Sequence, residues 1–414
     1  MKRKICSLVS IFVFIFSFVA CSCKKEEISR GSIEVAMVKA YLSKDINGPS
    51  TLVFPFNTIV SLTYFYESEK DKASEYFKEE YSRLHALFDR HHYYFDDNNN
   101  LINNLRVINE SNGEEVLVDQ DLIDILNEGI RFTKLSKGKF NIGVGNLSSL
   151  WDGYIENANL INNPLLDVPS QQEINQALAC TPTYLNIEDI IVVNDDNNTV
   201  KINNLNGCDG LVSITLGALG KSYAAEKIAA NEDIKNGNFL INAGQSTIKV
   251  LGENLARENG DWNVGITDSY LVYTSENKYA SYLLKLSDPI SVSTSSGDEK
   301  HYFYNDNYYH HIIDPISGYP NQNRLGITAL SSNAMYADII TTSLMSMNMD
   351  ETKEYLSLLK QNNIDVEVFI QDKIENGVKI YVTHKMKQLV SIRENEDYKS
   401  YLDSIVIEEF SYDS

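Results

Sequence analysis

The chain has 414 residues, 43% hydrophobic and 22% charged, a balance that allows a sizeable core and excludes a disordered, collagen-like or coiled-coil chain. With 36 Lys+Arg against 57 Asp+Glu the net charge is -21, a field that repels phosphate backbones and excludes nucleic acid as a partner. A phosphorylated ligand must therefore be met by a local device: a metal ion, one placed lysine or a helix N-terminus.

Lys2-Arg3-Lys4 precede an apolar run from Ser7 to Ala20, shorter than a bilayer span and of the length of a signal-peptide core. Phe18-Val19-Ala20-Cys21 then resembles the lipobox of bacterial lipoproteins, with Phe18 where Leu is usual. That resemblance implies cleavage after residue 20, a lipidated Cys21, and a body held to the membrane on its extracytoplasmic side; the alternative is an uncleaved anchor. Residues 21–48, polar and of mixed charge, read as a tether. Cys180 and Cys208 can pair in an oxidising compartment, but spacing alone leaves that open.

Thr51 to Tyr66 is β-branched and aromatic, hence a strand or hairpin. From Glu67 to Phe95, Ala73, Phe77, Tyr81, Leu84 and Leu87 recur at three- and four-residue steps, which predicts a helix with one buried stripe. A second helix is expected over Asp119 to Lys134, a glycine-punctuated loop over Gly138 to Gly153, and a helix over Pro164 to Ala179. Short strands are expected over Tyr184 to Ile202, around the turn Asn194 to Asn198. After Leu216 come a Gly-rich loop, a helix (Ser222 to Ala230) and strands at Asn238 to Asn242 and Thr247 to Leu251. Trp262 to Tyr309 alternates as antiparallel strands. Helices at Asn333 to Met347 and Glu351 to Gln361 precede strands at Val366 to Gln371 and Ile380 to His384. The tail from residue 391 is either a last strand or free. No repeat and no Pro/Ser linker divides residues 49–390, so the expected class is α+β: one catalytic body with interleaved lobes, its mixed or antiparallel sheets flanked by helices.

Three segments can carry chemistry. Leu216-Gly-Ala-Leu-Gly-Lys221 runs straight into a helix, so its backbone can approach an anion closely; without Walker spacing, a tight turn with Lys221 solvated is equally open. Asp338 and Thr342 stand one helical turn apart and put two oxygens on one face, suited to a hard cation such as Mg²⁺; the bland reading is a cap and a back-bonded threonine. Ser293 to Asp298 reads as a polar turn, and His310-His311-Ile-Ile-Asp314-Pro315 follows it. A histidine at such a strand end can serve as a general base, and adjacent histidines on a strand face opposite ways, so only one can serve.

In order over about Phe54 to Thr383, these segments resemble the ApbE family of flavin transferases. The likeness lies in Phe140-Asn-Ile-Gly-Val-Gly145 with Leu150-Trp151, in Leu216-Gly-Ala-Leu-Gly-Lys221-Ser-Tyr-Ala, in Asn242-Ala-Gly244, in His311-Ile-Ile-Asp-Pro315, and in Ala337-Asp338 with Thr342. The resemblance implies an extracytoplasmic lipoprotein that uses FAD and Mg²⁺ to place FMN on a Thr or Ser of an acceptor protein. By position, Asp338, Thr342 and the carbonyl of Ala218 would hold the metal. Phe56, Lys139, Phe140, Asn141, Thr215 and Lys221 would contact FAD, and His311 would lie beside the reacting phosphate, with Asp298 and Asp314 as weaker candidates for proton transfer. Thr215 and Asn141 stand where the family commonly has Asp, Ser222 where it has Gly, Phe56-Asn57-Thr58 where it has Met-Gly-Thr, Gln245 where it has a second Gly, and Glu299 where an aromatic is common. Two other readings stay open: the same fold binding or hydrolysing FAD without transfer, and a solute-binding lipoprotein.

Overall fold

The computed structural model of the protein describes residues 27–161, 164–244, 246–375 and 377–412; Cys6, Cys21, Cys23 and the signal-like run lie outside them. The frame is a nine-stranded sheet whose strands lie side by side in chain order: β1 (Gly31–Glu34), β2 (Val60–Tyr64), β3 (Phe239–Ala243), β4 (Thr247–Leu251), β5 (Ile290–Ser296), β6 (Arg324–Ser331), β7 (Glu367–Ile374), β8 (Gly377–Val382) and β9 (Val406–Glu409). Every neighbouring pair is antiparallel except β8 and β9. The helices are therefore insertions between adjacent strands, because antiparallel neighbours require no crossover.

One face of the sheet carries α1 (Glu67–Phe88), α2 (Gln120–Leu135), α5 (Gly220–Ala229), α6 (Ala334–Met345) and α7 (Met349–Gln361), which share a core with Ile241, Ile327 and Ala329. The other face buries Val250, Leu330, Phe369 and Ile380 against Trp262, Tyr282 and Leu284 of a small three-stranded sheet. Two further helices, α3 (Gly145–Ala158) and α4 (Gln171–Ala179), pack beside the hairpin His301–Tyr304/Asn307–His310 around Trp151.

The α1 stripe is buried as its spacing predicts, but the helix stops at Phe88 rather than near Phe95. Asp89 ends it: its carboxylate accepts the His91 amide at 2.6 Å and the Tyr94 hydroxyl at 2.6 Å, local bonds that compete with the helix. The stretch expected as a loop over Gly138 to Gly153 becomes helical at Gly145, since Leu147, Trp151 and Ile155 step by four and are buried together. Helix α4 starts at Gln171 because Ser170 and Glu173 form a capping box. Within Trp262 to Tyr309 a helix, Ser269–Ser275, interrupts the strands, capped by Asp268. Strand β6 carried no expectation: it is buried along its whole length on both faces, and such a strand shows no alternation.

The tether reading does not describe residues 31–48. Strand β1 pairs with β2, and Val38–Tyr41 pairs with Ser50–Val53, because Ile33, Val35 and Ala40 are apolar and buried. The tail contains strand β9, which pairs with β8. Cys180 and Cys208 form a disulfide, with Cα atoms 4.6 Å apart. Among the described residues no helix is long and apolar enough to cross a membrane.

Candidate active site

Helix α6 is set by its own cap and by its neighbour. Asn333 accepts the Tyr336 amide at 3.1 Å, and Glu226 of α5 accepts the Ala334 amide at 2.7 Å. Ala337, Ile340 and Leu344 hold α6 in the core, which leaves Asp338 and Thr342 facing β5. Asp338 is only 5% exposed. Its Oδ1 accepts from the Ser293 hydroxyl at 3.1 Å, and Ser293 in turn lies 3.1 Å from the Thr247 hydroxyl. Two residues along β5, on the same face, Ser295 donates to Thr341 at 2.8 Å and lies 3.3 Å from the Thr342 hydroxyl.

Asp338 Oδ2 has no hydrogen-bond partner. Burial pushes this carboxyl up, while the Lys221 charge and the hydroxyls of Ser222, Ser293 and Thr247 favour its ionised form. A buried carboxylate oxygen left without a partner is costly, so the set of one carboxylate, nearby hydroxyls and loop carbonyls suits a hard cation. Among the described residues no group of three or more His, Cys, Asp or Glu is placed to hold a metal, so a cation here would have to rest on hydroxyl, carbonyl and ligand oxygens beside one carboxylate.

The glycine bend meets this helix. Gly220 and Leu219 turn back onto the Leu216 carbonyl at 2.8 and 3.1 Å, and α5 begins at Gly220, which places Lys221 in its first turn. Tyr81 of α1 donates to the Lys221 carbonyl at 3.1 Å. A third segment closes the bend: Phe56 and Asn57 sit at φ 54 and 57, in the left-handed region that disfavours bulky side chains. A Cβ at Gly220 would lie 3.2 Å from the Phe56 ring, and one at Gly244 would collide with Thr58, so this loop rests on both glycine bends.

Over residues 56–369 the sequence matches the family model described as ApbE family. The chain belongs to the ApbE family. It is similar to FAD:protein FMN transferase of Haemophilus influenzae, 26% identical over 280 residues that cover 67% of this chain and 73% of the relative. It is equally similar to FAD:protein FMN transferase of Vibrio cholerae, 26% identical over 286 residues, 68% of this chain and 75% of the relative. The fold is that of the ApbE protein from Thermotoga maritima, with a TM-score of 0.62 and 24% identity over 82% of this chain and 98% of that one. The flavin transferase ApbE from Vibrio cholerae superposes with a TM-score of 0.58 at 18% identity, covering 87% and 100% of the two chains.

The remaining family positions of this ApbE chain fall into two groups. Lys221 acts electrostatically on both Asp338 and His311, so the bend, α6 and the histidine stand within reach of one charge. His311 follows the hairpin; its amide donates to the Lys300 carbonyl at 3.2 Å, and its Nδ1 lies 3.4 Å from the same oxygen. A nitrogen facing a carbonyl must be the protonated one, which leaves Nε2 with the lone pair. Partial burial, with His310 and Lys300 beside it, lowers this half-buried imidazole from its ordinary value, so it stands neutral. His310 faces the other way, fully buried against the Asn321 carbonyl, as expected of a neighbouring strand residue.

The second group makes bonds within the protein. Phe140 is in the core, and Asn141 spends both ends of its amide internally: Nδ2 donates to the Pro182 carbonyl at 2.6 Å and Oδ1 accepts from Gly143 at 2.8 Å. Thr215 donates its amide to the Ile142 carbonyl at 2.8 Å, so the two positions where the family commonly carries Asp lie on paired segments. Lys139 bonds Asp314 at 3.3 Å, and Asp314 also accepts the Ile316 amide at 3.0 Å, which makes it a turn-former. Ala218 is half-buried within the bend. The reading of Ser293 to Asp298 as a turn is corrected: residues up to Ser296 are strand β5, and the alternation of Ser291, Ser293 and Ser295 was the available signal. Asp298, beyond the strand, is buried against Ser269, its Oδ1 unpartnered, and helps line a cavity of about 620 Å³ with Lys300, His301, Asp152 and Glu156.

Proposed function

We propose that this chain is an FAD:protein FMN transferase. It would move the FMN half of FAD to a Thr or Ser hydroxyl of an extracytoplasmic acceptor protein. In that step the hydroxyl oxygen bonds to the flavin-side phosphorus, the diphosphate P–O bond breaks, AMP departs and the hydroxyl proton passes to a base. The observation that carries the reading is the unpartnered Oδ2 of buried Asp338, one helical turn from Thr342 and within the field of Lys221.

Asp338 and Thr342, with the carbonyl of Ala218, would hold Mg²⁺, and their all-oxygen chemistry fits that ion. When bound, it would neutralise charge on the diphosphate. The chain's own residues do the rest: Lys221 offers a second positive contact, the glycine bend brings backbone close to the phosphates, and His311 Nε2 carries the lone pair for the acceptor proton. The acidic surface gives no general attraction for FAD, so affinity must come from this local set. Anchoring through a lipidated Cys21 on the extracytoplasmic side rests on the sequence alone.

Incubation of residues 21–414 with FAD, Mg²⁺ and an acceptor domain bearing a Thr or Ser site tests the reading. Acceptor mass rising by one FMN supports transfer. Release of AMP without that gain makes the chain a hydrolase on the same fold, and failure to retain flavin returns it to the solute-binding reading.

A further inference from the structure

The loop Phe56–Thr58 needs an explanation, because a phenylalanine in the left-handed region persists only where its surroundings over-determine it. What holds it lies in the last turn of α1 and beyond. The Phe56 amide donates to Nδ1 of His85 at 3.1 Å. His85 Nε2 lies 3.0 Å from the Tyr94 hydroxyl, and that hydroxyl donates to Asp89 Oδ2 at 2.6 Å. An amide N–H can only donate, so Nδ1 must carry the lone pair and Nε2 the proton. Every bond then has one direction: Phe56 to His85, His85 to Tyr94, Tyr94 to Asp89. Asp89 is fixed at the far end by the His91 amide and by His92 Nδ1 at 2.8 Å. Burial lowers His85 to about 4, which keeps the acceptor nitrogen bare. The Phe56 ring is held edge-on by Tyr81 and His85 and lies on Gly220, next to Lys221.

We propose that His85, oriented by Tyr94 and Asp89, is a positioning residue that sets the Phe56–Thr58 wall of the glycine bend and thereby the affinity for the dinucleotide. The proposal rests on the transferase reading for its ligand, but not for its geometry. Without the relay, the Phe56 amide loses its buried acceptor and the wall relaxes towards ordinary backbone angles. His85 touches no reacting atom, so the loss falls on binding and not on the chemical step.

The experiment compares His85→Leu, which keeps bulk and removes the acceptor, with His85→Gln, whose amide can accept and donate, and with Tyr94→Phe. Amide hydrogen exchange at Phe56 and the steady-state constants for FAD are read on the full mature chain. One lost buried hydrogen bond predicts about tenfold faster Phe56 exchange and about tenfold higher KM for FAD in H85L. Turnover should stay within about twofold, and H85Q should recover most of both losses. Unchanged exchange and KM in H85L overturn the proposal, as does an H85Q variant no better than H85L. If H85L does not fold, Y94F decides alone, since it deletes one hydroxyl: a Phe56 amide as protected as in the wild type overturns the relay. If the wild type binds no FAD, the flavin reading fails while the exchange measurement still decides the geometry.

Discussion

Glu226 and Ala334 are joined at 2.7 Å, carboxylate to amide, so the helix whose first turn holds Lys221 caps the helix that carries Asp338. The same carboxylate holds Lys249 at 3.1 Å, a lysine only 7% exposed whose ammonium also reaches the Ser332 carbonyl at 2.6 Å. Two helices far apart in the chain thus meet at one carboxylate, and the spacing between the glycine bend and α6 depends on it.

Replacing Glu226 by Gln should therefore cost more than a surface charge would. The amide can still receive the Ala334 N–H, but Lys249 is left buried without its counter-charge, a loss of about 2 kcal/mol given the partial exposure of Glu226. Denaturant unfolding should show it, and adding Lys249→Met should restore most of the stability. If E226Q and the double variant unfold alike, the pair is not what joins the helices.

Asp338→Asn separates stability from function. The variant removes a buried carboxylate with one unpartnered oxygen, so in the absence of divalent ions it should be at least as stable as the wild type. Mg²⁺ should raise the wild-type melting temperature and leave that of D338N unmoved, because only binding to the folded state stabilises it. FMN transfer should drop by about a hundredfold or more. A Mg²⁺-induced shift that survives in D338N removes this residue from the metal site.

The acidic pH dependence has a defined sign. Burial pushes the Asp298 carboxyl up to about 6 from an ordinary 3.8. Below pH 4 folded and unfolded states are both protonated and the group contributes nothing. Between pH 4 and 6 the folded state keeps a proton that the unfolded chain has released, so stability falls as pH rises, by about 3 kcal/mol in all. His85 acts oppositely: lowered to about 4, it costs stability as pH falls from 6.5. The two slopes oppose each other in the wild type, so the measurement is a difference. D298N should match the wild type near pH 4 and exceed it above pH 6; a constant offset across that range contradicts the burial of the charge.

What the sequence shows of this site is what is local. The α1 stripe and the Asp338/Thr342 pair depend on helical spacing within one or two turns, and both stand where that spacing puts them. Strand β6 is silent because covering both faces erases alternation. Ser293 and Ser295 look like a turn because buried hydroxyls in a strand are tolerated only when something satisfies them, here oxygens on α6 more than forty residues away. The bond from Asn141 to the Pro182 carbonyl spans 41 residues, and the bond from Phe56 to His85 spans 29 that no motif links.

The disulfide supplies the last prediction. Cys180 lies two residues before Pro182, whose carbonyl holds Asn141, and Cys208 lies seven before Thr215, whose amide holds Ile142. The bridge thus ties together two segments that each bond to residues 141–142. Closing a loop with a sequence separation of 28 contributes up to about 3.5 kcal/mol through the unfolded chain. Cys180→Ala with Cys208→Ala should lose much of that in denaturant unfolding and should weaken FAD binding, while a reducing agent should lower the wild type to the variant's stability and leave the variant unaffected. A variant with full FAD affinity would mean that the 140–142 segment keeps its shape without the bridge, and that Asn141's bonds to Pro182 and Gly143 suffice to brace it.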